Sequence, residues 1–211
     1  MKSLRTLLFY FLILVYFSGS IGMVVHPSFF LPFTPLSLLL TCTVFLLFQP
    51  VRQSHYLLAF AGVALLGFLS EWIGVNTGLV FGDYWYGEAL GPKIQGVPVL
   101  ISLNWALLIT AGLLTVASFL THPVFTPLLA SLLITGIDFL MEQCVSQLDY
   151  WYFNEGVAGL HNYLGWFLVS FLGALVFYKP LNKGDFRVAV SILLLQVLFF
   201  GTIFISNRLP L

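Results

Sequence analysis

Seven apolar stretches divide the chain, at about 4–25, 31–49, 56–75, 97–119, 124–145, 162–178 and 187–206, with polar residues and prolines between them. A helix needs roughly 20 apolar residues to cross the hydrocarbon of a bilayer, and a backbone in lipid must satisfy its own hydrogen bonds. Each stretch is therefore expected to be a membrane-spanning helix. The predicted fold is all-α: a polytopic membrane helix bundle of about seven transmembrane helices, forming one integral-membrane domain over 1–211. Composition agrees, since 8% of the 211 residues are charged and 60% are hydrophobic, against about 25% charged in soluble domains. The first stretch, with Lys2 and Arg5 at its start and Ser18-Gly19-Ser20 inside it, also has the outline of a secretory signal peptide. Its apolar character continues through Val25, which favours an uncleaved span; cleavage would leave six.

Charge supplies an orientation and excludes one class of partner. The formal net charge is zero, and binding nucleic-acid phosphates needs a concentrated basic face, so no nucleic acid is expected. If the N-terminus is cytoplasmic, the inner side receives Lys2, Arg5, Arg52, Lys179, Lys183 and Arg187, and the outer side only Lys93 and Arg208. This bias predicts a multi-pass protein of the cell membrane with residues 76–96 and 146–161 outside. Cys42 and Cys144 show no metal-ligand spacing and no CxxC pattern, and they read as buried thiols.

The two outer loops share a word. Asp83-Tyr84-Trp85-Tyr86 returns as Asp149-Tyr150-Trp151-Tyr152. Glu71 precedes the first and Glu88, Gly96 and Trp105 follow it; Asp138 precedes the second and Glu155, Gly159 and Trp166 follow. Each unit, about 56–119 and 124–178, reads as helix, aromatic-acidic loop, helix. The pattern suggests a parallel hairpin repeat about an axis along the membrane normal, which places sites at the repeat interface. The plainer reading is an interfacial belt, where Trp and Tyr gather in any case.

Helical spacing sorts the polar residues onto faces. Ser131, Thr135, Asp138 and Glu142 form one stripe, Asn162, Trp166, Ser170 and Gly173 another, and Asn104, Ala111, Thr115 and Ser118 a third. Glu71 shares its face with Gly67, Gly74 and Gly78, small residues that permit close helix approach. At a rise of about 1.5 Å per residue, Glu71, Asp138 and Asn104 are expected at one level, some two-thirds of the way across. An ionised carboxylate there costs at least about 2.5–3.5 kcal/mol, whereas a structural hydrogen bond between membrane helices returns only about 0.6 kcal/mol, which favours a functional role.

Glu71 with Thr77-Gly78 and Phe81-Gly82-Asp83-Tyr84, then Leu90-Gly91-Pro92 and Gly96-Val97-Pro98 leading to Asn104-Trp105, resembles the membrane carotenoid hydratase family of bisanhydrobacterioruberin and gamma-carotene hydratases. Asp138 and Asn162-Tyr163-Leu164-Gly165-Trp166-Phe167 extend the resemblance over roughly 65–170. Leu160-His161 departs from it, standing where the first unit has Val97-Pro98. The resemblance implies addition of water across the terminal double bond of an acyclic carotenoid end, giving a tertiary alcohol without a redox cofactor. No cofactor and no metal are expected.

The residues suit that chemistry. A carboxyl group in an apolar site can stay protonated and act as a general acid toward an alkene, and aromatic faces stabilise the resulting cation. Glu71 and Asp138 are the expected acid/base pair, which of the two is the acid being left open. Asn104 and Asn162 are their hydrogen-bonding partners, with Glu142 a further catalytic candidate. Asp83, Tyr84, Trp85, Tyr86, Trp105, Tyr150, Trp151 and Trp166 are expected to bind substrate, with His161 beside them. The expected partners are the carotenoid, the lipid bilayer and a downstream glycosyltransferase that could act on the new hydroxyl; the sequence sets no oligomeric state. Two other functions fit in part. A lycopene-cyclase-like isomerase would form the same cation, although no Pro-x-Glu-Glu signature is present. A proton-coupled transporter would also use buried carboxylates. Magnesium held by Asp138-x-x-x-Glu142 is a weaker idea, because no second acidic motif has matching spacing.

Overall fold

A computed structural model describes residues 2–208, with the side chains of Lys2 and Ser3, and so the Lys2 charge counted above, outside the described residues. The elements are α1 (Lys2–Val25), α2 (Pro27–Phe30), a 3-10 turn (Leu31–Phe33), α3 (Thr34–Leu47), α4 (Ser54–Thr77), β1 (Tyr84–Tyr86), β2 (Lys93–Ile94), β3 (Val97–Pro98), α5 (Ile101–Ala117), α6 (Phe125–Met141), β4 (Trp151–Phe153), α7 (Leu160–Val176), α8 (Tyr178–Leu181) and α9 (Phe186–Ser206).

The helices are where the apolar stretches predict them, but they do not make seven spans. Four are long and apolar enough to cross a membrane: Leu4–Val25, Pro27–Leu47, Ser54–Thr77 and Phe186–Ser206. The other three, α5, α6 and α7, have 17 residues each, or roughly 26 Å of helix. Their expected spans included residues that do other things. Val97 and Pro98 form β3 rather than the start of α5, and the chain leaves α6 after Met141 in a series of turns that carries Glu142 to Leu148.

Helix α5 sits at the centre, with α3, α4, α6, α7 and α9 packed against it and α1 lying across α3 and α9. Its sequence is apolar on every side, the pattern of a helix buried all round, and its faces from Trp105 to Leu114 are buried. Helix α4 stops at Gly78, whose φ of +70° is the left-handed C-cap that glycine adopts without strain.

The two DYWY words pair with each other. Strands β1 and β4 are antiparallel, with Tyr84 opposite Phe153, Trp85 opposite Tyr152 and Tyr86 opposite Trp151. Alternation along a strand then divides the rings between two faces. Trp85 and Tyr152 stack on the outer face at 5.6 Å, while Tyr84 meets Phe153 at 5.8 Å and Tyr86 meets Trp151 at 5.9 Å on the face that covers the helix ends. Asp149, at φ +51°, fixes the turn into β4: its carboxylate accepts from the Glu88 amide at 2.8 Å and from the Tyr152 hydroxyl at 2.8 Å. The small ribbon corrects the all-α expectation. It covers the end of the bundle at which α4 and α6 finish and α5 and α7 begin.

Candidate active site

Beneath that ribbon three carboxyl groups come together, each on a different support. Glu71, on the last turns of α4, is 3% exposed. Its Oε1 accepts from the Trp105 indole at 2.8 Å, and its Oε2 accepts a short hydrogen bond from the Tyr84 hydroxyl. Burial first, and then the Glu71 charge, push the Tyr84 phenol far above its ordinary range, so it keeps its proton and donates it in a hydrogen bond to Glu71. Asp138, on α6, is fully buried; its Oδ2 accepts from the Asn162 amide at 3.2 Å, and its Oδ1 has no partner among the described residues. Glu142 is half-buried just beyond α6. It accepts from Asn162 at 3.1 Å and, with both oxygens, from the Trp151 indole at 3.2 Å.

One amide therefore joins Asp138 and Glu142, which the helix places one turn apart on the same face. The three carboxyl groups interact electrostatically, Glu142 with Asp138 and Glu71 with both. Behind them runs a stack of rings: Phe81 lies 5.9 Å from Trp105, and Trp105 lies 4.1 Å from Trp166. Gly67 makes room for it, since a Cβ there would run into the Cβ and ring of Trp105.

The structure thus gathers Glu71, Asp138, Glu142, Asn162, Tyr84, Trp105, Trp151 and Trp166 into one buried cluster, with Tyr86 packed on Tyr84 at 5.7 Å. It places other expected residues elsewhere. Asp83 and Trp85 are exposed on the outer face, and Asn104 bonds to none of the carboxyl groups but faces a cavity. His161 is exposed, its Nε2 at 2.9 Å from the Leu79 carbonyl.

That cavity is the feature sequence reasoning missed. It has a volume of about 390 Å³ and lies between α1, α3, α5 and α9 under the aromatic end. Phe30, Leu38 and Phe199 typify its walls, while Asn104, Tyr150, Trp151 and Met141 form the part nearest the carboxyl groups. Glu71, Asp138 and Glu142 do not line it. Glu142 sits one side chain behind the wall, since Trp151 lines the cavity and donates its indole N–H to Glu142; Asn104 and Met141, also in the wall, are chain neighbours of Trp105 and Glu142. The volume lies within the usual range of small-molecule sites, about 300–1,000 Å³.

A largely apolar cavity that ends against a buried carboxyl cluster can hold a hydrocarbon end and deliver protons to it. No curated protein and no solved structure matches the chain. A family model does match, over residues 33–211, described as carotenoid biosynthesis protein. That span takes in every carboxyl group and indole of the cluster and all the cavity walls except those from α1 and Phe30, and the chain belongs to the carotenoid biosynthesis protein family.

Proposed function

We propose that the protein is a carotenoid hydratase, adding water across the terminal carbon–carbon double bond of an acyclic carotenoid end. The observation that carries this reading is the carboxyl cluster itself: three acid groups, two buried and one half-buried, held by indole, phenol and amide donors beside a largely apolar cavity. The substrate end occupies the cavity with its terminal double bond toward Trp151 and Asn104. Asp138 and Glu142, joined by Asn162, are placed to hold one proton between them. Rotation of the Trp151 ring away from Glu142 brings that proton to the alkene.

Protonation at the less substituted carbon leaves a tertiary cation, which the faces of Trp151 and Tyr150 stabilise without capturing it. Water then adds to the cation, and its excess proton is taken up by Glu71 as the second acid/base group and returned to the Asp138–Glu142 pair. The net change is one alkene and one water converted to one tertiary alcohol. The acid that gave up its proton is restored, and no electrons leave the substrate.

The test is expression in a host that accumulates lycopene or gamma-carotene. The extracted pigment should gain the mass of one water per modified end, with no nucleotide or flavin supplied. Unchanged mass with altered retention would mean cyclisation instead. Loss of activity on chelation would point to a metal-dependent reaction.

The proposal includes an orientation. Gln53, His55, Lys179 and Lys183 lie together at the end of the bundle opposite the ribbon, and the Lys/Arg bias assigns that end to the cytoplasm. Reporters fused after Arg52 and Lys183 should be cytoplasmic, and reporters in 76–96 and 146–161 external. An external Arg52 fusion would invert the topology and move the site to the inner face.

A further inference from the structure

The cavity contains two amides that its apolar walls leave unserved. Gln196 on α9 is 5% exposed and Asn104 on α5 is 7% exposed; both line the cavity, and neither side-chain amide has a hydrogen-bond partner among the described residues. A carboxamide offers two donors and one acceptor, and burying it unpaired forfeits the hydration it had in water. Both face the same cavity. Asn104 is in the first turn of α5, and Gln196 is one turn before Phe200, whose ring meets Tyr150 at 6.5 Å under the ribbon. Helices α5 and α9 pack directly on each other. A lipid tail or a plain polyene end would leave both amides unbonded. An oxygen that donates to one amide carbonyl and accepts from the other amide nitrogen would satisfy them.

We propose that Asn104 and Gln196 form an oxygen-binding site at the head of the cavity, holding one hydroxyl-type oxygen on or beside an otherwise hydrocarbon isoprenoid end. The inference rests on the hydration reading and deepens it: the oxygen is the attacking water before the carbon–oxygen bond forms and the tertiary hydroxyl after it. Gln196 becomes a positioning residue for the nucleophile, and the pair gives the cavity a means of telling a hydroxylated end from an unhydrated one.

The experiment uses the purified full chain in nanodiscs, titrated with lycopene and with its singly hydrated tertiary alcohol. Binding is read by quenching of tryptophan fluorescence, since Trp151 lines the cavity. If the site holds the product hydroxyl, the unaltered protein binds the alcohol about tenfold more tightly than lycopene, as one net hydrogen bond allows. Gln196→Met then abolishes that preference while leaving lycopene affinity within about twofold. If it holds only the water, the unaltered protein shows no preference, and Gln196→Met slows single-turnover product formation about tenfold at unchanged lycopene affinity. Val197→Met, one residue along on the exposed side of α9, controls for the new side chain. Unchanged preference together with unchanged product formation in Gln196→Met overturns the proposal, as does an equal loss of both ligands. A preference removed by Gln196→Met in a protein that adds no water to any carotenoid keeps the oxygen site and sinks the hydratase reading instead.

Discussion

Asp138→Asn and Glu71→Gln each remove most of the hydrated product, by about 10²–10⁴-fold, the usual contribution of a general acid or base. Both substitutions keep the size of the side chain and abolish proton exchange, but their surroundings differ. Asp138 has one bonded oxygen and one without a partner among the described residues. An asparagine there can keep its carbonyl toward Asn162 and lose nothing that holds the helices together. Glu71 accepts from both Trp105 and Tyr84, so a glutamine must turn its NH2 toward one of two donors, and Glu71→Gln is expected to cost stability as well as activity.

This difference makes Asp138→Asn the sharper test. If Asp138 only ties α6 to α7, the neutral amide is tolerated or even stabilising, because removing a charge from an apolar interior relieves its desolvation cost. Product is to be normalised to the amount of folded protein in the membrane. Glu88→Gln serves as the control, since Glu88 pairs with Lys93 at the surface at 2.7 Å. Glu142→Gln falls between, losing one acid of the pair but keeping an acceptor for Trp151. Near-normal product from both Asp138→Asn and Glu71→Gln would sink the acid/base assignment and leave Glu142 as the remaining acid beside the cavity.

What the sequence disclosed follows from the range of the interactions involved. The faces of α4, α6 and α7 are set by spacing within one helix, and Glu71, Asp138, Asn162 and Trp166 point inward as that spacing predicts. Span counting failed at α5, α6 and α7 because an apolar run buried by protein reads the same as one buried by lipid, and only the lengths tell them apart. Asn104 shows a subtler limit. Its depth was legible but its azimuth was not, and on α5, apolar all round, nothing marks which polar neighbour an asparagine faces. The pairing of β1 with β4 joins residues more than sixty positions apart, and the repeated word announced the partners without their register. The cavity left no trace, since Phe30, Leu38 and Phe199 are indistinguishable in sequence from lipid-facing residues. One signal was available and unused: Gln196 interrupts the apolar run of α9, and a polar residue in such a run marks a site by default.

Gly67→Ala should lower thermal stability and activity together, although it adds a single methyl group and changes no charge. A Cβ at Gly67 would meet Trp105 at its Cβ, its Cγ and its Cδ1, the last at 2.8 Å. A flexible side-chain tip could move aside, but Trp105 is fully buried, stacked on Trp166, and fixed to Glu71 through its indole nitrogen. The clash must therefore be relieved by separating α4 from α5 or by shifting the indole. Either stretches the hydrogen bond that orients Glu71, and overpacking of this kind costs about 1–3 kcal/mol. Gly136→Ala supplies the comparison, because a Cβ at Gly136 meets nothing within 4 Å. There the substitution should be neutral or slightly stabilising, since alanine favours helix over glycine by up to about 1 kcal/mol. The measurement is the unfolding midpoint of each variant in one detergent, with hydrated product scored on the same preparations. Equal midpoints for Gly67→Ala and Gly136→Ala would show that the Trp105 stack yields freely, and the rigid support assigned to Glu71 would then have to come from Tyr84 and the ribbon instead.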